Sequence, residues 1–338
     1  MKTFLLLLTL SLQTAIFAAE PAPRTSLSQP RGSWTSSDAA YAILKRADIE
    51  MTIVTNQAVD DPQLPGHRKG YSGVAKLLHT KRPSNLFVPN YAGLNYEHIH
   101  DGTTQDREVL FEPRHAAMQL RIVNDYCVDL YQPPTPHYQL ESCLRYELLA
   151  DGTLQMTLEC IAHQDRFTNG YIGLFWASYI HQPESLDIYF PGWKDIDTKK
   201  VPALPPITMV RGITPSHGQL ATHRSIHDKR QLKHDDDFPL SLVFGHSKHR
   251  YSEPWYYGIS HSMGFAQIFR DTDNVRLTQS PSGGGQGNPA WDFQFIIPDY
   301  KVGQRYQMIM RAVYQPVEPQ TAFLKTVKKH YRQLQQIP

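Results

Sequence analysis

Glu97, His98, Ile99, His100 and Asp101 place two imidazoles and two carboxylates at the end of a stretch that begins near Leu86. Side chains alternate along a β-strand, so His98 and His100 would project to one side, at a spacing that suits a shared metal ion or a bracketed sugar hydroxyl. No third ligand stands beside them, and a polar surface pair is the plain alternative. Glu97 faces the other side of a regular strand. Glu97 and His98 therefore act together only at a bulge or a strand end.

The chain carries 16 histidines, and two further groups stand out: His217 with His223 and His227, and His246 with His249 and His261. Their irregular spacing suits loops contributing separately to a pocket and not a compact zinc signature. General acid–base chemistry suits a histidine near neutral pH opposite a carboxylate such as Glu97 or Glu253. The acid–base candidates are Glu97, His98, His217 and His261, each of which could equally be structural or exposed.

The run Ser280 to Gly287 is glycine-rich but lacks a following Lys and Ser or Thr, and it leads into an expected strand, which disfavours nucleotide binding. It reads as a strand connection or the rim of a ligand site. Arg276 before it could contact an anion, and Trp291 after it could stack on a sugar. Trp193 and Trp255 are the other candidate sugar-stacking rings, with a place in the core as the alternative for each. No Gly-x-Ser-x-Gly motif is present, which disfavours a serine hydrolase.

The elements that must position these residues are strands. Tyr138 to His163 alternates cleanly around Ala150, Asp151 and Gly152. A three-residue loop with Gly152 left-handed pairs Leu149 with Thr153, Leu148 with Leu154, Tyr146 with Met156 and Leu144 with Leu158. A two-residue turn would slip the register and set Leu154, Met156 and Leu158 beside Arg145 and Glu147, so burial selects the first pairing. The other face, with Glu141, Arg145, Glu147, Gln155, Thr157 and Glu159, reads as solvated or as a ligand-binding concavity.

Further strands are expected over 49–55, 86–100, 116–131, 171–180, 186–190, 207–211, 241–244, 255–261, 265–270, 291–297 and 305–314, punctuated by Pro and Gly. Phe323, Val327, Tyr331 and Leu334 recur at helical spacing, so one closing helix is expected against a sheet edge. The fold class is all-β, a large antiparallel two-sheet supersandwich with one C-terminal helix.

Residues 1–19 read as a secretory signal, with Lys2 followed by an apolar run too short to span a bilayer; an uncleaved anchor is the alternative. A flexible leader over 20–45 follows, then the β-domain over 46–316 and the helix over 317–338. The expected location is secreted or periplasmic. Removing Lys2 takes the formal charge from +2 to +1, which offers no electrostatic reason for a nucleic-acid partner.

Of the three cysteines, Cys143 and Cys160 face opposite ways on the hairpin. Along 116–131, Met118, Leu120, Ile122, Tyr126, Val128 and Leu130 share one face, which places Cys127 on the Cys143 side. A Cys127–Cys143 disulfide is a candidate if the two strands run antiparallel.

The Leu140–His163 hairpin, the run from Phe167 through Gly173 into Leu174, Phe175 and Trp176, the Trp291, Asp292, Phe293 strand and the Val302–Tyr306 turn together resemble the galactose mutarotase-like supersandwich superfamily. The resemblance implies sugar binding on a concave sheet face, where His, Glu and Arg act as acid, base and hydroxyl or carboxylate contacts. The individual catalytic roles do not map residue by residue. The expected function is an exported protein that binds a saccharide or polysaccharide and transforms it by epimerisation, lyase cleavage or hydrolysis. The alternatives are a non-catalytic glycan-binding or envelope protein and a metal-dependent hydrolase using His98 and His100. The leading reading calls for no cofactor, no resident metal, no nucleic acid and no membrane span in the mature chain.

Overall fold

Short alternating segments between turn residues form strands along most of the chain. The structure, a computed structural model, describes residues 24–29, 34–197, 203–214, 219–281 and 284–338. The chain begins with β1 (Thr35–Ser37), β2 (Tyr41–Arg46), β3 (Ile49–Val54), β4 (Gly73–His79) and β5 (Asn95–His100), followed by the one-turn helices α1 (Arg107–Leu110) and α2 (Glu112–His115). Next come β6 (Gln119–Asn124), β7 (Cys127–Gln132), β8 (Leu140–Leu148), β9 (Leu154–Ala162), β10 (Tyr171–Ala177), β11 (Ile188–Trp193), β12 (Thr208–Gly212) and β13 (Thr222–Ser225). After the short α3 (Ser241–Phe244) follow β14 (His246–Tyr251), β15 (Trp255–Ser260), β16 (Met263–Phe269), β17 (Arg276–Ser280), β18 (Ala290–Pro298), β19 (Arg305–Pro316) and the helix α4 (Gln320–Leu334).

One long sheet runs β1-β6-β7-β8-β9-β19-β16-β15-β11-β14-β13-β17-β18-β10-β5, with β12 on β11, while β2-β3-β4 form a second, small sheet. The long sheet doubles back on itself. Tyr146, Leu158 and Phe265 from one half share a core with Ile99, Trp176 and Phe293 from the other, and Leu44, Met51 and Ile53 of the small sheet join that core. The fold is an all-β sandwich, as the alternation predicts.

The β8–β9 hairpin has the expected register. Leu144 pairs with Leu158, Tyr146 with Met156 and Leu148 with Leu154, and the Leu149 N–H donates to the Thr153 carbonyl at 2.8 Å. Gly152 sits at φ +82°, a backbone conformation that costs glycine little. Each large apolar side chain buried here contributes about 1.5–3 kcal/mol, so a one-residue slip that exposed the row would be prohibitive.

Several expectations need correction. The stretch 116–131 is not one strand but the β6–β7 hairpin, with Leu120 opposite Leu130 and Ile122 opposite Val128. A tight turn at Asp125 and Tyr126 preserves the parity of the apolar positions, so a single strand and a hairpin read alike. The Cys127–Cys143 disulfide does not form: Cys127 lies opposite Glu147, Cys143 opposite Tyr131, and all three cysteines are free and buried. The loop joining β7 to β8 fixes that register and leaves the two sulfurs four positions out of step. Ser241–Phe244 is a helical turn, not a strand, and α1 and α2 are helical as well.

The C-terminal helix forms where expected but covers a face and not an edge. Phe323, Val327 and Leu334 pack with Trp255, Tyr257, Ala266, Ile268 and Val313 on the outer face of β15, β16 and β19, which lie mid-sheet. Part of the stretch expected to be a flexible leader is packed: Thr25 and Ser28 are buried, and β1 and β2 are paired. The signal region over 1–19 lies outside the described residues. Among the described residues no helix is long and apolar enough to cross a membrane.

Candidate functional site

A regular β5 would send Glu97 and His98 to opposite faces. The pairing with β10 breaks at this point: Phe175 lies opposite His98, but Trp176 lies opposite Tyr96, which leaves Glu97 as the extra residue of a β-bulge. The bulge lets both side chains line one cavity of about 300 Å³. Its floor is the sheet, with Phe175 and Ala177 of β10 and Ala290 and Asp292 of β18. Its roof comes from Phe111, after α1, and from Leu240 and Val243 around α3.

Glu97 is held from one side. Its Oε1 accepts hydrogen bonds from the Arg114 guanidinium and, at 2.8 Å, from the Tyr179 hydroxyl. Arg114 also donates to the Tyr179 oxygen at 2.8 Å and lies over the rings of Tyr71 and Phe111, at 4.4 and 4.6 Å from their centroids. These contacts fix the guanidinium plane and leave Oε2 free to turn toward His98, 3.9 Å from Nε2.

His98 stands between the edges of Phe111 and Phe175, with centroid separations of 4.1 and 5.3 Å, and its Nδ1 has no partner. Burial, assisted by the nearby positive charge of Arg114, holds its pKa well below that of a free imidazole. Asp292 moves the opposite way. It accepts the Ser178 N–H at 3.0 Å and meets no cation, so burial, reinforced by the Glu97 charge, raises its pKa well above the usual carboxylate range. Burial thus pushes the carboxyl of this cavity toward its protonated form and the imidazole toward its unprotonated form.

His100 shares the face but not the cavity lining. It packs against Phe238, Phe244 and Tyr171, neither ring nitrogen has a partner, and burial pushes its pKa down to about 3. Its ring occupies space that only glycine leaves open, since a Cβ on Gly173 would lie 2.3 Å from it. Among the described residues no group of three or more His, Cys, Asp or Glu is placed to share a metal ion.

The other expected site residues that the structure describes do not join this cavity. His217 lies outside the described residues. His261 sits in the β15–β16 turn, where its backbone N–H donates to Glu184 and its Nδ1 lies 3.0 Å from the Ser260 hydroxyl. Trp255 is buried beneath α4 and donates to Glu253 at 2.7 Å, while Trp291 belongs to the main core and donates to the Leu186 carbonyl at 3.1 Å. Trp193 is largely buried beside a separate depression near Pro205, to whose carbonyl it donates at 2.7 Å. Arg276 is buried on β17, bonded to Asp228 at 3.0 Å.

Sequence reasoning missed Asp292, Arg114, Tyr179 and the aromatic walls. Asp292 carried a usable signal. It stands between Trp291 and Phe293, two large apolar residues on one face, so its carboxyl must project from the other. Arg114 and Tyr179 carried none, because they reach Glu97 from distant segments.

No family model matches the chain, and no curated protein matches it. Among solved structures it is similar to a galactose 1-epimerase from Lactobacillus acidophilus NCFM, at 10% identity over 84% of this chain and 98% of the other, with a TM-score of 0.44. It is also similar to an aldose epimerase homologue from C. elegans, at 10% identity over 83% and 99%, with a TM-score of 0.45. A heparan sulfate lyase from Pedobacter heparinus aligns at 9% identity over 83% of this chain and 37% of its own, with a TM-score of 0.37. At these identities the chemistry of the site rests on its own side chains.

Proposed function

We propose that the protein binds a saccharide in the β5–β10–β18 cavity and transforms it by acid–base chemistry, with Asp292 as proton donor and His98 as proton acceptor. The observation that carries this reading is one cavity lined by Glu97, His98 and Asp292, in which burial displaces the carboxyl of Asp292 upward and the imidazole of His98 downward in pKa. Groups displaced in opposite directions are biased toward the donor and acceptor roles that paired proton transfer needs. Glu97, anchored through Oε1, offers Oε2 to a sugar hydroxyl. Phe111 and Phe175 offer apolar surface to the C–H face of a ring. The volume falls at the small end of ligand pockets, which run about 300–1,000 Å³.

Epimerisation, lyase cleavage and hydrolysis each need such a pair. In each, His98 takes a proton from a hydroxyl, a carbon or water, and Asp292 delivers one to the ring or departing oxygen, with no co-reactant beyond water. The test is NMR of a mono- and oligosaccharide panel incubated with the native protein and with Asp292→Asn. Product formed only by the native protein supports the reading. Binding without product makes the protein a non-catalytic glycan-binding one, and a panel that neither binds nor reacts overturns the saccharide assignment. Export to the periplasm or medium is part of the proposal, supported by the apolar run after Lys2. Mass spectrometry of the N-terminus of exported protein tests it, with cleavage near Ala19 expected.

A further inference from the structure

Three strands from His98, on the same sheet face, lies a group of cations that the acid–base reading does not use. Cross-strand pairing runs from His98 to Phe175, Phe175 to Gln294 and Gln294 to Arg276, so Arg276 shares that face at roughly 14 Å from His98. The α3 segment hangs between the two places, since Thr222 donates to the Leu242 carbonyl at 2.6 Å and Gln294 to that of Val243 at 3.3 Å. On the far side, Arg224 of β13 sits directly opposite Arg250 of β14. Like charges in register are unfavourable unless something neutralises them.

The neutralising partner within the fold is incomplete. Asp228 accepts from Arg230 at 2.9 and 3.0 Å and from Arg276 Nε at 3.0 Å, and Arg230 also reaches the Ile296 and Asn274 carbonyls, which satisfies it. Arg276 is 1% exposed, yet among the described residues neither of its Nη atoms has a partner. Arg224 Nε and His246 Nε2 are likewise buried without one. Burial, then the charges of Arg276 and Arg224, push the His246 pKa down to about 3, so this imidazole stays neutral beside the guanidinium groups. Arg224, Arg250 and His246 are each half-buried, which leaves the group an open side.

We infer that Arg224, Arg250, Arg276 and His246 form a binding site for an oxyanion, a carboxylate or a sulfate, whose oxygens would take the unpaired guanidinium donors. The site stands whether or not the cavity beyond α3 takes a saccharide. The anion could arrive free or as the acid group of a glycan chain, and the two sources are separable by experiment.

The measurement is thermal stability of the full chain, titrated with sodium sulfate, with a uronate oligosaccharide and with a neutral oligosaccharide, against sodium chloride at equal ionic strength. Saturable stabilisation by sulfate, by the uronate or by both, absent with chloride, is expected; sulfate alone identifies a free anion and the uronate a glycan acid. Arg224→Gln and Arg250→Gln each remove one member of a repelling pair. Both are expected to weaken the anion's apparent affinity about tenfold or more; Arg224→Gln leaves the anion-free protein at least as stable, whereas Arg250→Gln also removes the bonds from Nη1 to the Ser247 and His249 carbonyls, at 2.7 and 2.9 Å, and lowers its stability slightly. Equal response to chloride, or saturation unchanged in both variants, overturns the site. A variant that loses stability without anion, with its anion response intact, shows a structural role for the arginine and overturns it as well.

Discussion

Two buried polar faces of the same long sheet invite comparison. On the β7–β8–β9–β19 side, Glu141 and Glu159 are 1% and 2% exposed. The carboxylates here are well supplied with donors: Ser28 Oγ reaches Glu141 at 2.6 Å and His163 Nε2 lies 2.8 Å from it, while Ser26 Oγ and the Leu27 N–H reach Glu159 at 2.7 and 3.2 Å, although Arg121 Nη1, across from Asp129, is buried without a partner among the described residues. Asp129 is held by two parallel bonds from Arg145, at 2.8 and 2.9 Å. On the β5–β10–β18 side, His98 and His100 keep nitrogens without partners, and Asp292 has a backbone N–H but no cation. Polar burial alone therefore does not mark a site. A cluster of unpaired groups around one cavity is the better marker, because each such group calls for a water, an ion or a ligand to complete it.

The largest expected effect tests the unfinished side. Asp292→Asn and His98→Gln should each lower turnover of the saccharide found by the panel by about 10²–10⁴-fold. Asp292→Asn should also raise stability at neutral pH, read by chemical denaturation. Burial raises its folded pKa, so above pH 3.8, where the unfolded chain ionises, the native state disfavours the charged carboxylate, a cost that Asn avoids. Equal activity, or a marked loss of stability, would place Asp292 with the satisfied carboxylates.

Acid should act next most strongly, through imidazoles buried in their neutral form. Burial lowers the pKa values of His100, His223 and His246 from 6.5 to about 3. Their stability contribution is whole above pH 6.5. It is lost as pH falls from there toward 3, since the unfolded chain binds protons that the native state refuses, at up to roughly 1.4 kcal/mol per pH unit for each group. Denaturant midpoints that stay flat between pH 7 and 5 would contradict this.

The satisfied side should respond in stability and not in chemistry. Glu159→Ala strands the Ser26 hydroxyl and the Leu27 amide and should cost about 1–3 kcal/mol, with saccharide turnover unchanged. A loss of turnover at native stability would instead make that face part of the site. The smallest expected effect is none: reductant should leave the melting temperature unaltered, and native alkylation should be slow. The cysteines are free, and burial pushes the Cys127 thiol up to about 12.

The same comparison explains what was legible beforehand. The β8–β9 hairpin could be read because one of its faces is apolar, so a slip of register has an unmistakable cost. The polar face of that hairpin is covered at its Glu141 and Glu159 end by Thr25–Ser28, a contact more than a hundred residues away in sequence, while Arg145, Glu147, Gln155 and Thr157 stay part-exposed. β13, β14 and β17 were passed over because Thr-His-Arg-Ser, His-Ser-Lys-His-Arg-Tyr and Arg-Leu-Thr-Gln-Ser lack the apolar alternation that marks strands. Their side chains on the face shared with His98 are polar, so the segments that carry the cation group had the weakest pattern.

Local sequence alone determined the strand-rich fold class, the hairpin register around Gly152 and the amphipathic closing helix, because each depends on the periodicity of neighbouring residues. It also named Glu97 and His98 and the bulge or strand end that their cooperation would require. Only the tertiary structure decided that the bulge exists, that Asp292, Arg114 and Tyr179 meet it, and that Trp255 and Trp291 serve the core. Those outcomes depend on which distant strands become neighbours, and on how much water the packing between them leaves around each ionisable group.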